Sequence, residues 1–510
     1  MCGIAAKYGR VDPEAGERML HRLVHRGPDD MGSIALGDRA WLGHTRLSIV
    51  DVEGGAQPLS TGDEEMWLVG NGEVYNHAEV RQTFDGRLFS TRSDNEVALH
   101  LINERGPDAI SDLSGMYAFV GASADGRFIA ARDPIGIKPL YWAERDGDYR
   151  FASEMRAFDP SWLPEVEVFP PGHYWTPRTG LVRFEHAVPG RALKPVPGPE
   201  APGAPIPEDI LRETREVLVS AVDRQMMGDV PVGVFLSGGL DSTLVAAIAG
   251  DYLKARGGRL KTFAVGTEQS SDLLAARAAA DYLDTEHHEC VYTSEDAIAV
   301  LGDVVRAIES FDPSLVRSAV PNYMLAELTA RTVKVVLTGE GADEIFAGYG
   351  YYHELFTNAD DLQAELVRTI EGLHNLNLQR ADRVTMAHGL EARVPFLDRE
   401  VIAFGLHLPA GWKAAGKGQP EKRLLREAFA GWLPDELLWR KKEQFGTGSG
   451  AHEVLSEAIA EGISDHEFEA ERGQIEPPLR TKEELAYFRI FSRSLPGLRP
   501  EETIGRFATP

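Results

Sequence analysis

Only two cysteines, Cys2 and Cys290, occur in the 510 residues. A disulfide framework is therefore excluded, and a reducing compartment is the default for a chain so poor in thiols. Positive charge is also scarce: Lys and Arg total 53 against 79 Asp and Glu, a formal net charge of −26. Such a surface repels phosphate backbones and anionic lipid, which argues against nucleic acid or membrane as general partners. No apolar run approaches the roughly 20 residues of a spanning helix, and residues 1–30 lack the basic-then-apolar order of a secretory signal. The expectation is a cytoplasmic protein acting on small molecules. What is present is an ordinary 43% of hydrophobic residues, enough for sizeable cores. At about 150 residues per domain the length predicts two to four domains. One cysteine stands directly behind Met1, in "MCGIAAKYG". Chain ends are ordinarily frayed and dispensable, so a cysteine there is either incidental or a nucleophile.

Residues 189–207, "PGRALKPVPGPEAPGAPIP", are dominated by Pro, Gly and Ala. They read as a semi-rigid extended linker. Before them, short alternating or aromatic-rich runs separated by turn residues predict antiparallel sheets with a few helices, near Pro13–Val24 and Asn95–Arg105. Asp125-Gly126 between two apolar runs predicts a hairpin whose two central residues both take positive φ. After the linker the rhythm becomes strand–helix alternation. Pro207-Glu208-Asp209 opens a helix, "VPVGVFL" (230–236) and "VKVVLTG" (333–339) read as strands buried on both faces, and "LKTFAVG" and "HHECVY" lie between them. This predicts a parallel, doubly wound α/β layout, mostly helical from 355 onward. The boundaries expected are 2–188, a linker 189–207, and 208–510.

"FLSGGLDS" (235–242) sits at the carboxyl end of a buried strand and opens a helix. Ser237, Gly238 and Gly239 would let successive N–H groups approach an anion closely. Asp241 inside a phosphate loop implies a bridging cation, Mg²⁺ by its habit of joining phosphates to one or two carboxylates. "LTGEGADE" (337–344) follows a second buried strand and offers Asp343 as a second ligand and Glu340 as an acid or base. "RKKEQF" (440–445) adds Lys441 and Lys442, which could balance charge on a nucleotide. In the first half, Cys2 would carry a thiol and, once Met1 is removed, a free α-amine able to serve as its base. Arg46, Glu73 and Asp94 suit the α-carboxylate and α-amino groups of an amino acid, and Asn71 with the Gly72 N–H suits an oxyanion hole. His287, His288 and Cys290 do not make a zinc site without a second ligand cluster; Cys290 reads as a buried small hydrophobe.

SGGLDS with GEGADE resembles the ATP-pyrophosphatase family. Met-Cys-Gly-Ile, HRGPD, RLSIVD and NGE-x-YNH resemble the class II glutamine amidotransferases. Their order in one chain is similar to that of the glutamine-hydrolysing asparagine synthetases, from Cys2 to about Phe445, with "GLEARVPFLD" (389–398) and KEQF among the shared motifs. The resemblance implies an α+β N-terminal-nucleophile glutaminase domain of antiparallel sheets layered with helices. It implies after it an α/β doubly wound parallel-sheet ATP-pyrophosphatase domain with a helical C-terminal part. Cys2 would attack the glutamine amide; Arg46, Leu47, Ser48, Ile49, Val50, Asn71, Gly72, Glu73 and Asp94 would hold glutamine. Leu236, Ser237, Gly238, Gly239, Asp241, Ser242, Val265, Thr338 and Gly339 would line the ATP site, with Asp241 and Asp343 on Mg²⁺. Glu340 and Lys442 would act in catalysis, Arg317 and Arg393 at the acceptor. Aspartate, ATP and glutamine would give asparagine, AMP, pyrophosphate and glutamate, with ammonia passing through an interior tunnel; relatives are often homodimers. The stretch 309–321 departs from the pattern. Ser314 and Leu315 stand where the family's bacterial asparagine synthetases carry a Thr-Thr pair, which keeps open a second acceptor class, a peptide or natural-product carboxylate.

Overall fold

The computed structural model describes residues 2–84, 86, 89–199, 202–352, 359–414, 419–441, 449 and 462–508. The first half is built on strands β1 (Cys2–Tyr8), β2 (Asp30–Leu36), β3 (Ala40–Arg46), β4 (Leu59–Ser60), β5 (Trp67–Val74), β6 (Gly115–Ala122), β7 (Phe128–Arg132), β8 (Tyr141–Arg145), β9 (Asp148–Ala152), β10 (Glu167–Val168), β11 (His173–Thr176) and β12 (Gly180–Arg183). They form two six-stranded sheets, β10-β8-β9-β1-β3-β2 and β12-β11-β7-β6-β5-β4, whose pairs are antiparallel. The period of two sorts each strand between layers. Ile4 and Ala6 of β1 meet Val69, Val120 and Phe128 between the sheets. Ala5 points the other way, to Met19 and Leu20 on the helix Pro13–His21. On the far side the helix Glu96–Arg105 covers the second sheet through Val97 and Leu101.

The β6–β7 hairpin forms, but not with the predicted two-residue turn. The strands are joined by residues 123–127, and only Gly126 takes positive φ (93°). Asp125 is instead a cap: its carboxylate accepts from the Ser123 hydroxyl and from the Arg127 N–H at 3.1 Å, the local bonding that makes Asp a turn residue without a left-handed backbone.

The second half holds β13 (Val232–Phe235), β14 (Lys261–Gly266), β15 (Glu286–Val291), β16 (Val335–Leu337) and β17 (Glu391–Arg393), ordered β15-β14-β13-β16-β17 and all parallel. The chain leaves β13 toward β14 and β15, then returns to lay β16 on its other side. The loops after β13 and β16 therefore adjoin where the order reverses, the place at which parallel sheets open a ligand crevice. The helix begins at Glu208 with Pro207 as its N-cap. The Pro/Gly-rich stretch does not span free space. Beyond a short turn at Gly190–Ala192 it lies on the C-terminal helices, with Val196 N–H donating to His407 O at 2.8 Å and Trp412 Nε1 to Pro205 O at 3.0 Å. Leu47, Ile49 and Ile137 share one apolar core with Leu218, Val222 and Met226, so the two halves are joined by continuous packing. Among the described residues no helix is long and apolar enough to cross a membrane.

Among the described residues, the buried cation Lys413 has no acid beside it. Lys413 is inaccessible, with Gln363 Oε1 at 3.2 Å and the Leu406 carbonyl at 3.5 Å, and burial pulls its ammonium from 10.5 to about 7. The unfolded chain thus holds more protons between pH 7 and 10.5, and stability rises with pH through that window. Lys413→Met should stabilise the fold by about 3 kcal/mol near pH 7. Denaturation midpoints at pH 7 and pH 10 should show the gain shrinking as pH rises.

Candidate active sites

Cys2 is not at a frayed end. It opens β1, an interior strand between β9 and β3, opposite Arg46 in register, and is buried. Its N–H donates to Asn71 Oδ1 at 3.0 Å, and its carbonyl accepts from Arg26 Nε at 3.0 Å. Burial pushes the thiol up, against a donated bond from the Leu47 N–H. Gly72 follows Asn71 on β5 with φ 138°, and a Cβ there would lie 1.9 Å from the Met116 carbonyl, so no side chain fits. The buried polar atoms at this site with no hydrogen-bond partner among the described residues include Asn71 Nδ2 and Glu73 Oε2. A donor and an acid oxygen left open beside a thiol, where unsatisfied groups are costly, form a socket for a polar ligand. Burial, with Glu391 and Asp94 nearby, raises the Glu73 carboxyl well above its ordinary range. Asp94 accepts from the Val74 N–H at 2.6 Å.

The RLSIV segment is placed differently from a simple binding strip. The Arg46 guanidinium is held by the carbonyls of Val50, Asp51 and Val52 at 3.3, 2.7 and 3.0 Å. Leu47 and Ile49 turn into the shared core, while Val50 packs against it half-buried. Ser48 N–H donates to Asp29 at 2.7 Å. What this segment can offer a ligand is therefore backbone and the remaining face of Arg46, not the Leu47 and Ile49 side chains.

The loops after β13 and β16 meet as expected. A Cβ on Gly339 would sit 2.9 Å from Asp241 Cβ, so glycine is needed for the approach. Around them opens a cavity of about 1060 Å³ lined by Leu236, Ser237, Gly239, Asp241, Ser242, Val265, Thr338, Gly339, Glu340, Asp343, Arg317 and Lys441. Ser237 and Ser242 hydroxyls are 3.0 Å apart at the start of the helix Leu240–Lys254. Thr338 is tied to β17 through both its N–H (2.9 Å) and its hydroxyl (3.2 Å) to the Arg393 carbonyl. Gly238 needs correction: it does not line the cavity. Its φ is 69°, and a Cβ would strike Ala275 at about 2.4 Å, so this glycine lets the helix Ser271–Leu283 pack close.

Arg393 also needs correction. On β17 Ala392 faces the cavity, and strand alternation sends Glu391 and Arg393 to the other side. There Arg393 donates to Glu391 (2.6 Å) and to the Gln225 and Met227 carbonyls, and lies 3.6 Å from Glu73. It belongs to the Cys2 side. Of the Ser314–Leu315 pair only Ser314 lines the cavity; Leu315 is buried in the core below the helix Pro313–Ala330. Arg317 lines the cavity 3.5 Å from Glu483 of the C-terminal helix Lys482–Ser494, and Arg506, Phe507 and Ala508 complete that wall. Residues near the C-terminus thus form one wall of the pocket. Lys442 lies outside the described residues, as does the rest of KEQF. Cys290 is half-buried on the edge strand β15, packed against the core rather than enclosed by it, and among the described residues no group of three His, Cys, Asp or Glu could hold a metal ion.

Sequence reasoning missed Lys422. Its Nζ lies between Asp241 and Asp343, 2.8 Å from the latter and in contact with the former. Against the pull of burial, the two carboxylates hold this ammonium above its ordinary value. It also missed Arg380, paired with Glu340, and Glu344. Burial beside Asp343 lifts the Glu344 carboxyl to about 7, while Tyr349 donates to it at 2.6 Å. The one available signal for Lys422 was a lysine in "EKRLLREAF", which read locally is a solvated helix residue.

Fold and sites together define an N-terminal-nucleophile amidotransferase domain joined to a parallel-sheet synthetase domain. Residues 1–175 match the glutamine amidotransferase domain family, and residues 213–360 and 354–488 match asparagine synthase. The chain belongs to the asparagine synthase family. It is 38% identical to a probable glutamine-hydrolysing asparagine synthetase of Dictyostelium discoideum, over 99% of this chain and 96% of that one. It is 39% identical to a Schizosaccharomyces pombe relative described in the same words, over 97% and 94%. An Arabidopsis thaliana glutamine-hydrolysing asparagine synthetase is 40% identical over 91% and 81%.

Proposed function

We propose that this chain makes asparagine from aspartate, with ATP activating the acceptor carboxylate and glutamine supplying nitrogen. The supporting observation is the pairing of two differently equipped sites in one packed body. One holds a buried thiol with an open amide donor and an open acid oxygen; the other holds two carboxylate loops closed on an ammonium. At the first, Cys2 Sγ attacks the glutamine amide, Asn71 Nδ2 and the Gly72 N–H receive the developing oxyanion, and Glu73 faces the α-amino group. At the second, the loop after β13 receives the phosphates and Lys422 offsets the charge of the departing pyrophosphate. Asp241 and Asp343 supply hard oxygen donors gathered at one point, a set that fits Mg²⁺ completed by phosphate. When bound, that ion would lend further positive charge to the phosphates. Arg317 with Ser314 faces the aspartate, and Glu340, held by Arg380, faces the reacting carboxyl. A conduit for ammonia would follow β17, whose Arg393 reaches Glu73 and whose Ala392 lines the cavity.

The other-carboxylate reading rested on the Ser314–Leu315 departure. Only Ser314 faces the cavity, and it keeps a hydroxyl, so that reading is not favoured. The test is product analysis with ATP–pyrophosphate exchange. Aspartate should support exchange, and AMP, asparagine and glutamate should accumulate. Appearance of ADP in place of AMP, or exchange with other acids but none with aspartate, would overturn the proposal.

A further inference from the structure

The helix Asn377–Met386 touches both sites. Asp382 takes Arg26 Nη1 and Nη2 on its two oxygens, at 2.8 and 3.2 Å, across the junction of the two halves. The Nε of the same guanidinium donates to the Cys2 carbonyl at 3.0 Å, and Glu154 takes Nη1 at 2.8 Å. The next residue, Arg383, donates to the Ser153 carbonyl at 2.9 Å. Ser153 in turn pairs with Ile4 of β1 through its hydroxyl and its N–H, both at 3.0 Å. Near the start of the same helix, Arg380 grips Glu340, and Gln379 pins the helix by donating to the Ile308 and Glu309 carbonyls at 2.8 and 3.2 Å. Arg26, Asp382 and Arg383 are all buried.

We propose that Asp382 is a positioning residue for the Cys2 thiol, and that this helix is a strut through which the synthetase half sets the geometry of the glutaminase half. The proposal rests on the reading of Cys2 as the glutaminase nucleophile. Glu154 alone would balance the Arg26 charge, but it holds only one of the two terminal nitrogens and leaves Nη2 unheld. Two parallel bonds to Asp382 fix its plane, and with it the direction of the Nε–H, the Cys2 peptide plane and the bearing of Sγ. A nucleophile held off its line of attack loses rate while substrate contacts elsewhere persist.

The test uses the full chain. Glutaminase activity of the unaltered protein is measured first; its absence would overturn the reading of Cys2 and not the strut. Asp382→Asn should then lower glutaminase kcat about tenfold or more, with KM and ammonia-dependent synthesis held within about twofold. Asp382→Ala should lower kcat further. Unchanged kcat, or a change confined to KM, overturns the proposal. Should Asp382→Asn lose its cooperative melting, Arg26→Lys decides: it keeps a charge facing Asp382 and Glu154 but has no Nε–H for the Cys2 carbonyl. It must lose glutaminase kcat while ammonia-dependent synthesis survives, and full glutaminase activity in that variant overturns the strut.

Discussion

Cys2→Ala abolishes glutamine-dependent synthesis, by about a thousandfold or more, while synthesis from added ammonium salt stays within about twofold. The size of the first effect follows from chemistry: alanine offers no nucleophile, and the surrounding donors can orient glutamine but not cleave its amide. The survival of the second follows from packing. The bonds that anchor residue 2 run from its N–H to Asn71 and from Arg26 to its carbonyl, and both are backbone atoms that alanine retains. Only Sγ is removed, from a buried position where a smaller side chain leaves the strand pairing with Arg46 intact. The two assays, run on one preparation with melting as a control, separate the sites. Residual glutamine use would show that the thiol is not the nucleophile. Parallel loss of both activities would show that the sites do not divide the work. Mass spectrometry of active protein should find Met1 absent, since the free α-amine of Cys2 is the base assigned to the thiol.

Lys422→Met is the mirror experiment. AMP formation should fall about a hundredfold or more with either nitrogen source, while glutaminase activity remains. Lys422 Nζ is the cation on which the loops after β13 and β16 close, through Asp241 and Asp343. Removing one member of a buried charge cluster costs about 3–5 kcal/mol. Here the leftover charges are carboxylates, facing the place where phosphates must bind, so the penalty falls on nucleotide affinity and on the departing pyrophosphate together. Lys422→Arg should recover little, because a planar fork cannot replace a compact ammonium between two acids. Pyrophosphate exchange and AMP release measure the effect. Retention of either within a few fold would show that Lys422 only holds the loops together.

Much of this molecule was legible in its residues. Continuous apolar runs ending in SGG and GEG loops locate buried parallel strands and the crevice at their ends, because burial on both faces leaves no alternation to read. Asn71-Gly72-Glu73 is readable as a candidate site because an amide and a glycine N–H suit an oxyanion hole and the acid suits an α-amino group. Other residues were assigned to the right motif for the wrong reason. Gly238 serves helix packing, Arg393 pairs with Glu391 and reaches Glu73, and Leu315 fills the core. On a three-residue strand such as β17, nothing local says which neighbour meets the cavity.

The sequence by itself determined the two architectures and the two carboxylate loops, since each is written in a few adjacent residues, and it is the source of the proposal that Cys2 is the nucleophile. Only the tertiary structure decided what joins them: Lys422 lies 181 residues from Asp241, and Arg26 lies 356 from Asp382. A buried charge is stable only beside its partner, and a partner that far along the chain is chosen by how the sheets and helices pack, not by anything within reach of a motif.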